Sequence, residues 1–254
     1  MNIKVIVTDL DDTLLRGDKT ISDYTIDVFK KCRDKEIKIV FATARSIQAS
    51  KRFLERFAPD IFVGYGGAVA VAENEIIHRS DIPAGISYRL INECLQTPDI
   101  LYIHATNESV AYTNKKDPSD TDSSHYRCVD FSNYKDISYL KISLIAAKPN
   151  VVERIALNYP MLDMLRYTGE NLYRFASRDA VKWNAVMAAA KYYNISTDEF
   201  IAFGDDYIDL EMLQKCGAGV AVENAVGEVK AAAKYICGSN DEDGAAKWIE
   251  ERVL

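Results

Sequence analysis

The chain has 254 residues, enough for one large hydrophobic core or for a core plus a smaller second one. With 48% hydrophobic and 27% charged residues it reads as a folded globular protein, and a formal net charge of −7 without a dense Lys/Arg run argues against nucleic acid as a partner. Five scattered cysteines with no C-x-x-C pair exclude a zinc ribbon or disulfide framework and read as buried thiols in a reducing cytosol, while no apolar run approaches a membrane span and MNIKVIVTDL lacks a secretory cleavage site. A cytoplasmic protein with no membrane partner is therefore expected.

Ile3 to Thr8 is a β-branched run suited to a parallel strand covered on both faces. Ser22 is placed to cap a helix carrying Ile26, Phe29 and Cys32 at three-residue spacing, and Ile37 to Ala42 follows as a second buried strand. Ser46 starts the next helix, Pro59 lies beyond its end, and Ile61 to Val63 reads as a third strand. Gly64-Tyr-Gly66-Gly67 lacks the third glycine of a dinucleotide fingerprint and reads as a tight turn leaving that strand. The order implies right-handed βαβ units.

From about Ile82 to Ser177 the texture changes. Candidate hairpins pair Ile100 to Ala105 with Ser109 to Thr113, and Met161 to Tyr167 with Leu172 to Phe175 around the Gly169-Glu-Asn turn. A strand at Leu140 to Ala146 and helices at Ala84 to Gln96 and Val151 to Tyr159 complete the block. Lys115 to Ser124 contains three aspartates but lacks the glycine and glutamate of a calcium loop, so it reads as a solvated loop. Beyond it the βα grammar returns: helix Val181 to Tyr193, strand Phe200 to Phe203, helix Ile208 to Cys216, strand Gly219 to Val222, and helices near Val226 to Lys234 and Ala245 to Glu251. The expected fold class is α/β, a doubly wound parallel-sheet core from residues 1–81 and 180–254, with an α+β domain inserted at 82–179.

Ligands of an open parallel sheet bind beyond the carboxyl ends of its strands. Asp9 and Asp11 follow the first strand, Thr43 the second, and Asp205 and Asp209 the late one, with Lys182 at the start of a helix. Four carboxylates gathered there would repel one another unless a proton or a cation intervened, and a hard dication such as Mg2+ suits oxygen ligands. Asp9 could then attack phosphorus to give an aspartyl-phosphate, and Asp11 could protonate the leaving oxygen and later activate water. Thr43 and Lys182 would hold the phosphoryl oxygens. Lys182 sits where the helix dipole disfavours a cation, in a helix that Ser177 or Asp179 would cap. Arg45 could equally meet substrate or pair with a carboxylate, and the three histidines show no ligand spacing.

These residues match a family. D-L-D-D-T-L from Asp9, Thr43 in F-A-T-A-R, Lys182 before a helix and G-D-D-Y-I-D ending at Asp209 resemble the four motifs of the haloacid dehalogenase-like phosphatases. The large insert after the second motif and the tail Gly238 to Gly244 resemble the Cof-type subgroup. That resemblance implies a Mg2+-dependent phosphomonoesterase acting on a small phosphorylated metabolite such as a sugar phosphate, with the insert closing over the site as a cap. It also implies a metal held by the Asp9 carboxylate, the Asp11 backbone carbonyl and Asp205, with Asp209 supporting the metal waters or Lys182. Two positions depart from the subgroup: Ile208 stands where Asn is usual, and Gly66 begins what is usually Asn-Gly-Ala, each removing a polar contact. A phosphomutase or phosphotransferase would use the same intermediate with another acceptor. A phospho-accepting signalling module would instead carry its aspartate on a middle strand of a chain about half as long.

Overall fold

The computed structural model describes residues 2–108, 110–115, 126–167 and 171–254. Ser109, His125, the polar run from Lys116 to Ser124 and the turn at Gly169 lie outside the described residues. The chain divides into two compact units, Met1–Arg79 with Val181–Leu254, and Ser80–Ala180.

The first unit begins with β1 (Val5–Thr8), buried along its whole length. In α1 (Asp23–Asp34) the Ser22 side chain accepts the Thr25 N–H, and β2 (Lys38–Ala42) follows. Ser46 likewise accepts the Ala49 N–H at the start of α2 (Ile47–Phe57), which ends at Ala58 in the left-handed conformation. Then come β3 (Ile61–Gly64), β4 (Val69–Ala72) and β5 (Glu75–Arg79), the last two an antiparallel hairpin that the sequence reading passed over. Its turn residues Glu73 and Asn74 both have positive φ, which matches the twist of paired strands but is poorly advertised by the dipeptide Glu-Asn.

The second unit runs through α3 (Ala84–Leu95), β6 (Ile100–Thr106), β7 (Ala111–Thr113), β8 (Tyr126–Cys128), β9 (Lys141–Ala146), α4 (Pro149–Ala156), β10 (Leu162–Arg166) and β11 (Leu172–Ser177). Its sheet has the order β10-β11-β9-β6-β7-β8. Every described pair is antiparallel except β7 with β8, where the parallel strand at 126–128 was not expected. One face packs Ile103, Ile142, Leu144, Tyr173 and Phe175 into a cluster with Leu90 of α3 and Val152 of α4. The exposed Cys128 corrects the expectation that all five thiols are buried: β8 presents its side chain to solvent at the sheet edge.

The chain re-enters the first unit with α5 (Lys182–Tyr193), β12 (Phe200–Gly204), a 3-10 turn at Tyr207–Asp209, α6 (Leu210–Lys215), β13 (Ala218–Ala221), α7 (Gly227–Ala232), β14 (Tyr235–Ile236) and α8 (Gly244–Arg252). Val181 occupies the N-cap of α5 without a side-chain capping bond, so neither Ser177 nor Asp179 caps it as expected; the Ser177 hydroxyl accepts the Asp179 N–H instead. The sheet order is β14-β13-β12-β1-β2-β3-β4-β5, parallel from β14 to β3. Helix α1 packs on α2 and α8, and α6 on α5 and α7, which gives the doubly wound arrangement its two helical layers. Because β1 lies between β2 and β12, the connections leaving its carboxyl end diverge, and the crevice beyond β1 and β12 is the topological switch point. Among the described residues no helix is long and apolar enough to cross a membrane.

Candidate active site

Asp9 continues the β1 ladder, its N–H bonded to Phe203 O at 3.0 Å, so its side chain emerges where β1 and β12 end together. Asp205 follows the last residue of β12. The 3-10 turn that comes next is locked by a reciprocal cap: Asp206 accepts the Tyr207 N–H at 2.7 Å, and Asp209 Oδ2 accepts the N–H groups of Asp205 and Asp206 at 3.1 and 3.2 Å. This return path explains the D-D-x-x-D spacing. It also requires a glycine at 204, where a Cβ would stand 2.4 Å from Asp209 Cβ.

Lys182 opens α5 and is fully enclosed together with Asp209. Its Nζ donates to Asp9 Oδ1 at 2.8 Å and to Asp209 Oδ1 at 2.6 Å. The start of α5 is held against the β3–β4 turn at Gly67, whose φ is +103° and where a Cβ would lie 2.2 Å from the Val181 carbonyl carbon. Gly67 therefore admits the backbone that delivers the lysine.

One ligand oxygen each from Asp9, Asp205 and Asp209 can be chosen so that all lie within 4.8 Å of one another. Burial raises the Asp9 carboxyl well above the usual range; Lys182 opposes the rise, and Asp209 and Asp205 add to it. Asp205 is pushed up to about 7, chiefly by burial, with Asp209 adding and the Thr13 hydroxyl opposing. Burial alone would depress the Lys182 ammonium, but Asp209 and Asp9 outweigh it and the group is raised. Three carboxylates facing one ammonium leave an excess of negative charge, and a dication with oxygen preference fits that donor set. Both oxygens of Asp209 are already engaged by Lys182 and the two N–H groups. Asp9 and Asp205 each use one oxygen, on Lys182 and on Thr13 Oγ1 (2.6 Å), and retain a second for a cation.

The Asp11 carboxylate is held elsewhere. Arg45 donates to it through Nε and Nη2, both at 2.6 Å, and Lys19 Nζ lies 3.4 Å away. Although burial opposes it, these cations lower the Asp11 carboxyl, so Asp11 is an ionised group here. Arg45 thus meets a carboxylate, that of Asp11, in this structure. Thr43 is fully enclosed beyond β2, its Oγ1 accepting the Arg45 N–H at 3.2 Å and leaving the O–H to donate.

Three supporting residues escaped the sequence reading. Thr13, the threonine of D-L-D-D-T, orients Asp205, and the D-x-D-x-T spacing was the available signal. Asn224 donates to Asp12 O at 2.6 Å, and Asn240 donates to Leu15 O at 2.9 Å while its own N–H reaches Asn224 Oδ1. These amides brace the loop after β1 from the segment following β13 and from the 238–244 tail, long-range contacts that carry no local pattern.

The haloacid dehalogenase-like hydrolase family model matches residues 6–249. YxeH of Bacillus subtilis (strain 168) is 30% identical over 275 residues, covering 99% of this chain and 98% of that protein. The 5-amino-6-(5-phospho-D-ribitylamino)uracil phosphatase YbjI of Escherichia coli (strain K12) is 28% identical over 263 residues, covering 99% and 96%. The solved structure of the HAD subclass IIB sugar phosphatase BT4131 superposes with a TM-score of 0.84 at 20% identity, covering 98% of both chains, a likeness of fold. With the acidic cluster lying at the switch point of a fold shared over almost the entire length, the chain belongs to the haloacid dehalogenase-like hydrolases, as an enzyme of their phosphatase type.

Proposed function

We propose that this protein is a Mg2+-dependent phosphomonoesterase that hydrolyses a small phosphorylated metabolite through phosphoryl transfer to Asp9. The observation that carries the reading is the buried ammonium of Lys182 bridging Asp9 and Asp209 beside Asp205. Asp9 and Asp205, with the Asp11 carbonyl, would hold the cation, which when bound neutralises charge on the transferring group.

Asp9 attacks phosphorus with the oxygen that Lys182 contacts, leaving its second oxygen for the cation, and the ammonium opposes protonation of the carboxylate and aims it. Lys182 then faces the phosphoryl oxygens together with the Thr43 O–H, so charge developing there meets donors already in position. Asp11, held ionised by Arg45, is suited to accept a proton from the water that cleaves the acyl phosphate. To protonate the leaving oxygen it must first release Arg45, because a carboxyl lowered by a guanidinium is a poor acid. Small phosphorylated molecules are the substrates named for YbjI and BT4131, and a sugar phosphate is the class we assign here.

The test is phosphate release over a panel of phosphorylated metabolites, with and without Mg2+, beside Asp9→Asn. Activity should require the metal and vanish in the variant. Metal-independent release that survives the substitution overturns the reading, and transfer to a second hydroxyl without free phosphate would make the enzyme a phosphotransferase.

A further inference from the structure

The sheet of the 80–180 unit has two unlike faces. Ile142 and Leu144 of β9 and Tyr173 and Phe175 of β11 point into the hydrophobic cluster. Side chains alternate along a strand, so Lys141, Ser143 and Arg174 lie on the opposite face. Arg174 pairs with Ser143 in the β11–β9 register, and Lys141 is two residues before Ser143, which makes the two cations diagonal neighbours.

Neither cation is properly matched. Arg174 is only 4% exposed, yet its Nε is buried without a hydrogen-bond partner among the described residues. Its one ion pair among the described residues runs from Nη2 to Asp163 at 3.3 Å, longer than a charge-assisted bond prefers, and the Asp163 side chain is half exposed. Lys141 makes no ion pair or side-chain hydrogen bond among the described residues. Burial, then the nearby Arg174, pushes the Lys141 ammonium down to about 8. Placing two like charges side by side, one of them with an orphaned buried guanidinium N–H, is costly unless an anion completes the set. Hydroxyl-bearing Ser143 lies between them and can contribute a donor.

We propose that this face carries an oxyanion-binding site in which Arg174 Nε and Lys141 Nζ bind a carboxylate or phosphate group of a small molecule. Nothing in the proposal requires the catalytic reading, because the site lies on residues of the 80–180 unit alone. The oxyanion belongs either to the substrate, as a second charged group beyond its ester phosphate, or to a separate effector.

The experiment is a titration of the full-length protein with sodium sulfate, following the Arg174 Nε–H resonance by nitrogen-15 NMR at constant ionic strength. A saturable shift is expected in the wild type, with affinity about tenfold weaker in Lys141→Met, the loss of one charge-assisted contact. Lys141→Met should fold, since it replaces a partly buried repelled charge with an apolar side chain of similar length. A resonance that does not respond, or responds equally in the variant, overturns the proposal.

The source of the anion is read by kinetics. For a substrate-borne group, the kcat/KM ratio for 6-phosphogluconate over glucose 6-phosphate falls about tenfold in Lys141→Met. For an effector the ratio is unchanged while the sulfate response still weakens, and both results sustain the site.

Discussion

Lys182 Nζ lies 2.6 Å from Asp209 Oδ1, and neither side chain reaches solvent. A buried pair of this kind seldom adds net stability over apolar packing, but removing one partner leaves a bare charge behind. Lys182→Met would leave Asp9 and Asp209 facing each other with no cation. The expected loss is about 3–5 kcal/mol in urea unfolding without divalent ions, with part of it recovered on adding Mg2+. A loss below about 1 kcal/mol would mean that the ammonium does not offset the carboxylates.

Gly204 has a second consequence for the same pair. A methyl at 204 would enter the space of Asp209 Cβ, so Gly204→Ala must displace the carboxylate that accepts from Lys182 and from the Asp205 and Asp206 N–H groups. Misplacement by about 1 Å costs on the order of 100-fold in turnover. Gly85→Ala, where a Cβ would meet nothing within 4 Å, is the matched control and should be neutral or slightly stabilising. Equal kcat for Gly204→Ala and Gly85→Ala would separate Asp209 placement from activity.

Much of this was legible because it is local. Buried β-branched runs, Ser22 and Ser46 caps, and aspartates just past strands mark β1, α1, α2 and the crevice without any long-range knowledge. What was missed depends on contacts across the chain, such as Asn240 reaching Leu15 from 225 residues away, and the sequence left open which carboxylate Arg45 would meet. The β4–β5 hairpin was missed for a different reason. Its φ-positive turn is built from Glu73-Asn74, whose residues tolerate that geometry without announcing it. Periodicity could place Lys182 at a helix start but could not say that its charge is paired inside.

Four buried thiols predict an alkaline weakness. Burial raises Cys32 from 9.0 to about 11 and Cys94, Cys216 and Cys237 from 9.0 to about 12. The native state therefore keeps protons that the unfolded chain releases above pH 9, and stability present below that pH is lost as pH rises through about 11 to 12. Each thiol contributes at most about 1.4 kcal/mol per pH unit. Between pH 9 and 10, wild type should lose about 1 kcal/mol relative to Cys94→Ala, measured by urea unfolding. Exposed Cys128→Ala should track wild type, and a Cys94→Ala curve parallel to wild type would exclude the effect.

Thr13 offers a test of the cluster that leaves every proposed ligand in place. Its O–H donates to Asp205 Oδ1 at 2.6 Å and fixes the carboxylate so that its other oxygen can face a cation. Thr13→Val keeps the side-chain shape and removes the donor, leaving a buried oxygen unmatched and the carboxylate free to rotate. Groups that orient a ligand in this way typically contribute about 10–100-fold to metal affinity. The Mg2+ dependence of activity should therefore shift to about tenfold higher concentration, with kcat at saturating metal falling less. Calorimetric titration of Mg2+ gives the same constant without turnover. If Thr13→Val binds Mg2+ as tightly as wild type, Asp205 is not a ligand whose orientation matters, and the cation must be held by Asp9 through other partners.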